Sequence, residues 1–257
     1  MSGERRAWDV NTYPGGWPPP QKQQSNRRIL VVLMPFLVLV VVAAAVGIGL
    51  LARDAVTTKV PGTAVAMADG STPANVLADG AVRVGDDDAK VTVRVVMDLQ
   101  CPACKKFEEA NGSVLEEAVR DGSAAVEYSV ITFLDRMSET EYSSRAGNAS
   151  YCVANSGLDN YQSWLADIFA QQPAEGGAGL PDSDLIDIAG SAGYTDTAVA
   201  ECITNRQYDS YLRTKTTQVL RSGVTATPTV YIDGTEVTDR QALMTPGGLA
   251  AVIAAAR

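Results

Sequence analysis

The chain has 257 residues, with 21 Lys and Arg, 30 Asp and Glu and no histidine, for a net charge of −9. The missing histidine excludes Ser-His-Asp and Cys-His catalysis, HExxH zinc sites and cytochrome-c-type haem attachment, leaving Cys, carboxylates, Lys, Ser/Thr and Tyr for any chemistry. Residues 1–28 hold five bases and two acids, so the remainder sets 16 bases against 28 acids. A body that acidic repels phosphate backbones, which argues against a nucleic-acid partner.

Residues 1–28 contain NTYPGGWPPPQKQQSN, too polar to build a core, and read as a disordered cytoplasmic tail. Residues 29–52, ILVVLMPFLVLVVVAAAVGIGLLA, carry no charge. As a helix they reach roughly 36 Å, more than the ~30 Å hydrocarbon core of a bilayer. Lys22, Arg27 and Arg28 precede this segment, so the positive-inside bias puts the N-terminus in the cytoplasm and the rest of the chain outside. The run is too long for the apolar region of a signal peptide, and the nearest A-x-A patterns, at 64–66 and 66–68, lie too far downstream. The expectation is a single-pass anchor in the cell membrane with an extracytoplasmic body. Residues 53–80, rich in Ala, Gly, Thr and Asp and broken by Pro61 and Pro73, read as an extracytoplasmic linker.

The body, residues 81–257, alternates strand and helix. VTVRVVM at 91–97 is too apolar for an exposed strand and suits a central one. It runs into Asp98-Leu-Gln-Cys101-Pro-Ala-Cys104, after which Phe107, Ala110, Val114, Leu115 and Ala118 recur at helical spacing. Residues 124–133 read as a second strand. From about 139 to 222 the pattern is helical, carried by Ala146, Ala149 and Val153, then Tyr161, Trp164, Leu165 and Ile168, then Leu185 and Ile188, then Tyr211, Leu212 and Val219. Thr229–Ile232, Asp233-Gly234 and 235–237 spell a hairpin with a two-residue turn, and 249–257 a terminal helix.

The chemistry falls to four cysteines, Cys101, Cys104, Cys152 and Cys202. Cys101 and Cys104 sit at i and i+3 of a helix start, a separation that suits a disulfide. Cys101 also meets the free N–H groups and the positive end of the helix dipole, which lowers a thiol pKa and makes it the nucleophile, with Cys104 as resolving partner. A zinc site needs two more ligands at suitable spacing, and no His or second CxxC supplies them. A purely structural Cys101–Cys104 disulfide closes too short a loop to stabilise much. Asp98, three residues before Cys101, reads either as a proton-transfer group or as a helix cap. Cys152 and Cys202 fall on apolar helix faces, which suits either two buried thiols or a structural disulfide, and an oxidising compartment favours the Cys152–Cys202 disulfide.

The run GDDDAKVTVRVVMDLQCPACKKFEE, followed far downstream by SGVTATPTVYIDGTEV, resembles the DsbA-like thioredoxin-fold disulfide oxidoreductases, in particular the membrane-anchored Gram-positive and actinobacterial type. The likeness covers residues 81–257. It implies an α/β thioredoxin fold with a helical insertion at about 139–222, preceded by one transmembrane helix and a linker. It also implies a redox-active Cys101–Cys104 disulfide in a loop with Pro102 and Ala103, and a cis Thr227–Pro228 bond beside it whose backbone receives substrate. Ala103 stands where the strongest oxidases often carry His, and Val95 where relatives often carry a buried acid, so the thiolate should rely on the helix N-terminus, helped by Lys105 or Lys106. The implied partners are reduced exported proteins and an integral-membrane protein that reoxidises the enzyme; no cofactor or metal is implied. The same fold run in reverse is a reductase or isomerase, and a peptide-binding, chaperone-like module with an inert CPAC is a third reading.

Overall fold

In a computed structural model, residues 64–68, 70 and 72–257 are described. The tail, the apolar segment 29–52 and most of the linker lie outside them. Among the described residues no helix is long and apolar enough to cross a membrane.

Five strands form one sheet: β1 (Val82–Val84), β2 (Val91–Met97), β3 (Ala124–Val130), β4 (Thr229–Ile232) and β5 (Thr235–Glu236), in the order β1-β3-β2-β4-β5. β2 is central, as its mostly β-branched, apolar run suits; it pairs parallel with β3 and antiparallel with β4. The parallel pairing needs a crossover, supplied by α1 (Pro102–Arg120), which buries Phe107 and Leu115. Between β3 and β4 come α2 (Tyr142–Ser156), α3 (Tyr161–Ala170), α4 (Asp182–Ser191), α5 (Thr197–Thr204) and α6 (Asp209–Arg221), the helical insertion. Trp164, Leu165 and Ile168 of α3 and Tyr151 of α2 are fully buried there. Two short helices, α7 (Arg240–Met244) and α8 (Leu249–Ala255), end the chain.

The structure corrects several expected boundaries. The second strand stops at Val130 rather than 133: Ile131 N–H still donates to Met97 O, but Thr132 N–H turns to Thr216 Oγ1 on α6. The insertion's first α-helix starts at Tyr142 rather than 139, because Glu141 has φ +54°, which a right-handed helix cannot contain. Only a 3-10 turn, Asp135–Met137, precedes it. The hairpin turn falls where expected, at Asp233-Gly234, both with positive φ (48° and 80°) as a two-residue turn of this kind demands.

Register places the site. Val96 of β2 pairs with Thr229 at the start of β4, and Met97 pairs with Val130 at the end of β3. The segments just past β2 and β3, and the one just before β4, therefore meet at one end of the sheet.

Candidate active site

At that end the chain leaves β2 and turns before α1. Asp98 makes the turn: its carbonyl accepts Cys101 N–H (3.0 Å), and its Oδ1 accepts Gln100 N–H (2.8 Å). Cys101 is the extended N-cap of α1 (φ −74°, ψ 120°), and Pro102 fills the first turn, where no N–H is needed. The backbone N–H groups of Ala103 and Cys104 are thereby left for the Cys101 sulfur. Both Cys101 and Cys104 are free thiols, so this is the geometry of the reduced form.

The two thiols are pushed in opposite directions. Cys101 is lowered to about 6, first by the hydrogen bond from the Cys104 thiol, then by the Thr227 side chain and the Cys104 and Ala103 N–H groups, all working against burial. Cys104, fully buried, is pushed well above the ordinary thiol value by desolvation and by the adjacent Cys101 thiolate. The expected help from lysine is not among the main causes: Lys105 Nζ turns to the Ala170 carbonyl at 3.2 Å, and neither lysine ranks with the groups that lower the thiol. Hydrogen bonds from the thiol and the helix start do the work instead.

Thr227–Pro228 is a cis peptide bond, and both residues are half-buried beside the cysteines. The Thr227 carbonyl oxygen lies 3.5 Å from Cys101 Sγ. That contact suits a thiol, which can donate to it; the Thr227 side chain favours the thiolate.

Asp98 is buried, and its carboxyl is pushed up to about 6, mainly by desolvation. Three donors hold it down: Gln100 N–H, Leu134 N–H (2.8 Å) and the Ser143 hydroxyl (2.7 Å). None of these belongs to α1, so the helix-cap alternative fails. The carboxylate hydrogen-bonds neither sulfur directly among the described residues; its link to Cys101 is through charge.

Sequence reasoning missed the supports around this turn. Gln172, just past α3, donates through Nε2 to Leu99 O (2.9 Å) and Cys101 O (3.1 Å), bracing the loop from outside. Ser143 of α2 ties Asp98 to Gln100. A glutamine in a polar loop and a serine in a helix carry no local signal of such contacts. Cys152 of α2 and Cys202 of α5 are joined in a disulfide across 50 residues, with Cα atoms 5.8 Å apart.

Residues 78–253 match the family model described as thioredoxin. The chain belongs to the DsbA-like thioredoxin-fold thiol-disulfide oxidoreductases. This oxidoreductase is similar to two solved structures from Mycobacterium tuberculosis: the reduced form of the disulfide bond oxidoreductase DsbG, and oxidised DsbA. Each is 34% identical with a TM-score of 0.59, covering 67% of this chain and 85% and 90% of theirs respectively. It is also 34% identical over 174 residues to the serine/threonine-protein kinase PknE of the same organism. That match spans 65% of this chain and only 30% of PknE.

Proposed function

We propose that this oxidoreductase is a membrane-anchored thiol oxidase, facing outward, that donates its Cys101–Cys104 disulfide to reduced exported proteins. The observation that carries the direction is the split between a Cys101 thiol lowered to about 6 and a buried Cys104 pushed up. A stabilised thiolate favours the reduced enzyme, which raises the potential and makes the disulfide a better donor. In the exchange, a substrate thiolate attacks Cys101 Sγ, the Cys101–Cys104 bond breaks, and Cys104 leaves and takes a proton. A second substrate thiolate then attacks the substrate sulfur of the mixed disulfide and releases Cys101 as a thiolate. The substrate loses two electrons and two protons; the enzyme gains both electrons.

Other features support this reading. No hydrogen bond from Thr227 N–H is found among the described residues, which leaves that amide for an extended substrate backbone beside Pro228. Phe133 and Met137, the exposed large hydrophobic residues among those described, follow β3 at the same end of the sheet and suit a partly unfolded client. Asp98, with a carboxyl near 6 and its backbone bonded to the Cys104 sulfur, would hold the proton that Cys104 needs. The uncharged segment 29–52 is the anchor, and an integral-membrane protein would carry away the electrons the enzyme collects.

The test is the Cys101–Cys104 potential, measured against glutathione, together with alkylation trapping of the pair in cells. An oxidised pair in cells and a potential well above thioredoxin's about −270 mV are expected. A potential at or below that value, with Cys101 held reduced, would give the protein to reduction or isomerisation. Protease added to intact spheroplasts should cut residues 81–257 and spare residues 1–28.

A further inference from the structure

Alongside α1, where it packs on α3, runs a groove of about 640 Å³ that the exchange chemistry does not use. One wall is a helical stripe of α1, Lys105, Glu108, Gly112 and Glu116, and the facing wall includes Gln162 and Asp167 of α3. Glu108 is 9% exposed, and its Oε2 is buried with no hydrogen-bond partner among the described residues. Burial and the Glu116 charge push its carboxyl up to about 7. The site is also sculpted for this carboxyl: a Cβ on Gly112 would stand 2.5 Å from Glu108 Oε1. Glycine is disfavoured inside a helix, and here its missing side chain leaves the carboxyl room in its present place. Lys105, the base on the groove, points its Nζ at the Ala170 carbonyl and leaves Glu108 unpaired.

A buried acceptor with no partner gains most from an opposite charge that brings its own donors. A bare metal ion fits poorly, since among the described residues no cluster of three or more His, Cys, Asp or Glu could hold one. The acids lie along a groove, an arrangement that suits a basic side chain reaching in from an extended chain. We propose that this groove receives a lysine or arginine side chain of the polypeptide being oxidised, with Glu108 as its counter-ion.

The geometry sets where that base lies. Glu108 follows Cys101 by seven residues of sequence, or about 10 Å along the helix axis. An extended substrate covers that in about three residues. The preferred clients thus carry a base about three positions from the reacting cysteine. The inference rests on the oxidase reading above.

The experiment uses two reduced peptides, each with a pair of cysteines, that differ only in Lys or Gln three residues from the first. The full-length oxidised protein in detergent oxidises each one, and each rate is divided by that protein's own rate with dithiothreitol. A preference for the Lys peptide of about tenfold is expected, the scale of one charge-assisted hydrogen bond. Glu108→Gln, nearly the same shape, should bring the preference close to one, and Glu116→Gln on the exposed rim should halve it. Equal rates for the two peptides with the wild type would overturn the proposal, as would a Lys preference that Glu108→Gln leaves intact. A Cys101–Cys104 potential at or below thioredoxin's, measured on the same protein, would overturn the oxidase reading itself, so the two failures are told apart.

Discussion

Cys101 Sγ and the carbonyl oxygen of Thr227 stand 3.5 Å apart although 126 residues separate them in the chain. The antiparallel register of β2 and β4, with Val96 opposite Thr229, brings them together. The contact makes the sulfur's surroundings depend on its protonation. A thiol can donate to the carbonyl, whereas a thiolate is repelled by it and is held by the Cys104 thiol and the N–H groups at the start of α1.

Because the Cys104 thiol is the largest cause of the Cys101 shift, its removal should be read in two ways. Cys104→Ala should raise the Cys101 pKa from about 6 toward the free-thiol value of ~8.5, and Cys104→Ser, which keeps a hydroxyl donor, should raise it less. Both variants should accumulate mixed disulfides with exported proteins through Cys101, since nothing resolves them. Ultraviolet thiolate absorbance gives the pKa, and gels without reductant give the adducts. Trapping that needs Cys104 and not Cys101 would reverse the assignment.

The lowered pKa also makes the reduced fold pH-dependent. For an acid whose folded pKa is depressed, the stabilisation is full above the unfolded value, ~8.5 for a thiol, and is lost as pH falls through the folded value, about 6 here. The reduced protein should therefore gain stability over a Cys101→Ala variant as pH rises from 6 to 8.5. Urea midpoints of the two proteins at both pH values measure it; a gap that stays constant would deny the thiolate its role.

Asp98 carries the opposite sign. Its folded pKa, about 6, lies above the ordinary aspartate value of 3.8, so its carboxylate weakens the fold as pH rises between those values. Asp98→Asn should flatten that part of the stability profile. The Asp98 and Cys101 charges also repel, so the same variant should move the Cys101 titration downward, leaving one simple step where the wild type shows the coupled titration of a pair. An unchanged Cys101 midpoint would leave Asp98 with a purely structural role.

What was legible in the chain, and what was not, follows from how far each feature depends on its neighbours. The run from Val91 to Met97 reads as a central strand because nearly every residue is apolar or β-branched, and α1 reads as a helix because Phe107, Leu115 and Ala118 repeat on one face. CPAC points to thiol exchange through its spacing and its place at a helix start, with no second pair of ligands for zinc. β1 was not legible: three residues with Arg83 in the middle carry no period, and only its pairing with β3 makes it a strand. α7, at five residues, fails for the same reason. The lysines beside CPAC misled because spacing places Lys105 near the thiolate, while the Ala170 carbonyl on α3 decides where its ammonium goes. Gln172 and Ser143 act through tertiary contacts that no local pattern encodes.

The Cys152–Cys202 bond ties α2 to α5 within the insertion. Closing a loop of 50 residues is worth about 4 kcal/mol in the chain-entropy model. Replacing both cysteines with Ala should lower the unfolding free energy by up to that amount and leave the Cys101 titration where it was, since neither residue is among the causes of its shift. Mild reduction of the wild type should open Cys101–Cys104 while Cys152–Cys202 survives. Mass spectrometry after alkylation reads this directly, and labelled Cys152 at that stage would count against a structural role.

Glu108 offers a test that needs no substrate. Its folded pKa, about 7, stands above the ordinary glutamate value of 4.5, so the carboxyl is harmless while protonated and costs stability as it ionises. Below pH 4.5 the wild type and Glu108→Gln should be about equally stable. Between pH 4.5 and 7 the variant should pull ahead, and by pH 8 the gap should level off at no more than about 3 kcal/mol, the scale set by 1.36 kcal/mol per pKa unit. Urea unfolding across that range measures it. If no gap opens, the carboxylate has found a partner in solution, with Lys105 the nearest able to swing over, and the groove is not waiting for a charge from outside. If the gap opens as expected, the fold retains a carboxylate that weakens it above pH 7, beside a helix glycine that makes room for it. Neither feature serves stability, as expected of a groove that takes its counter-charge from outside.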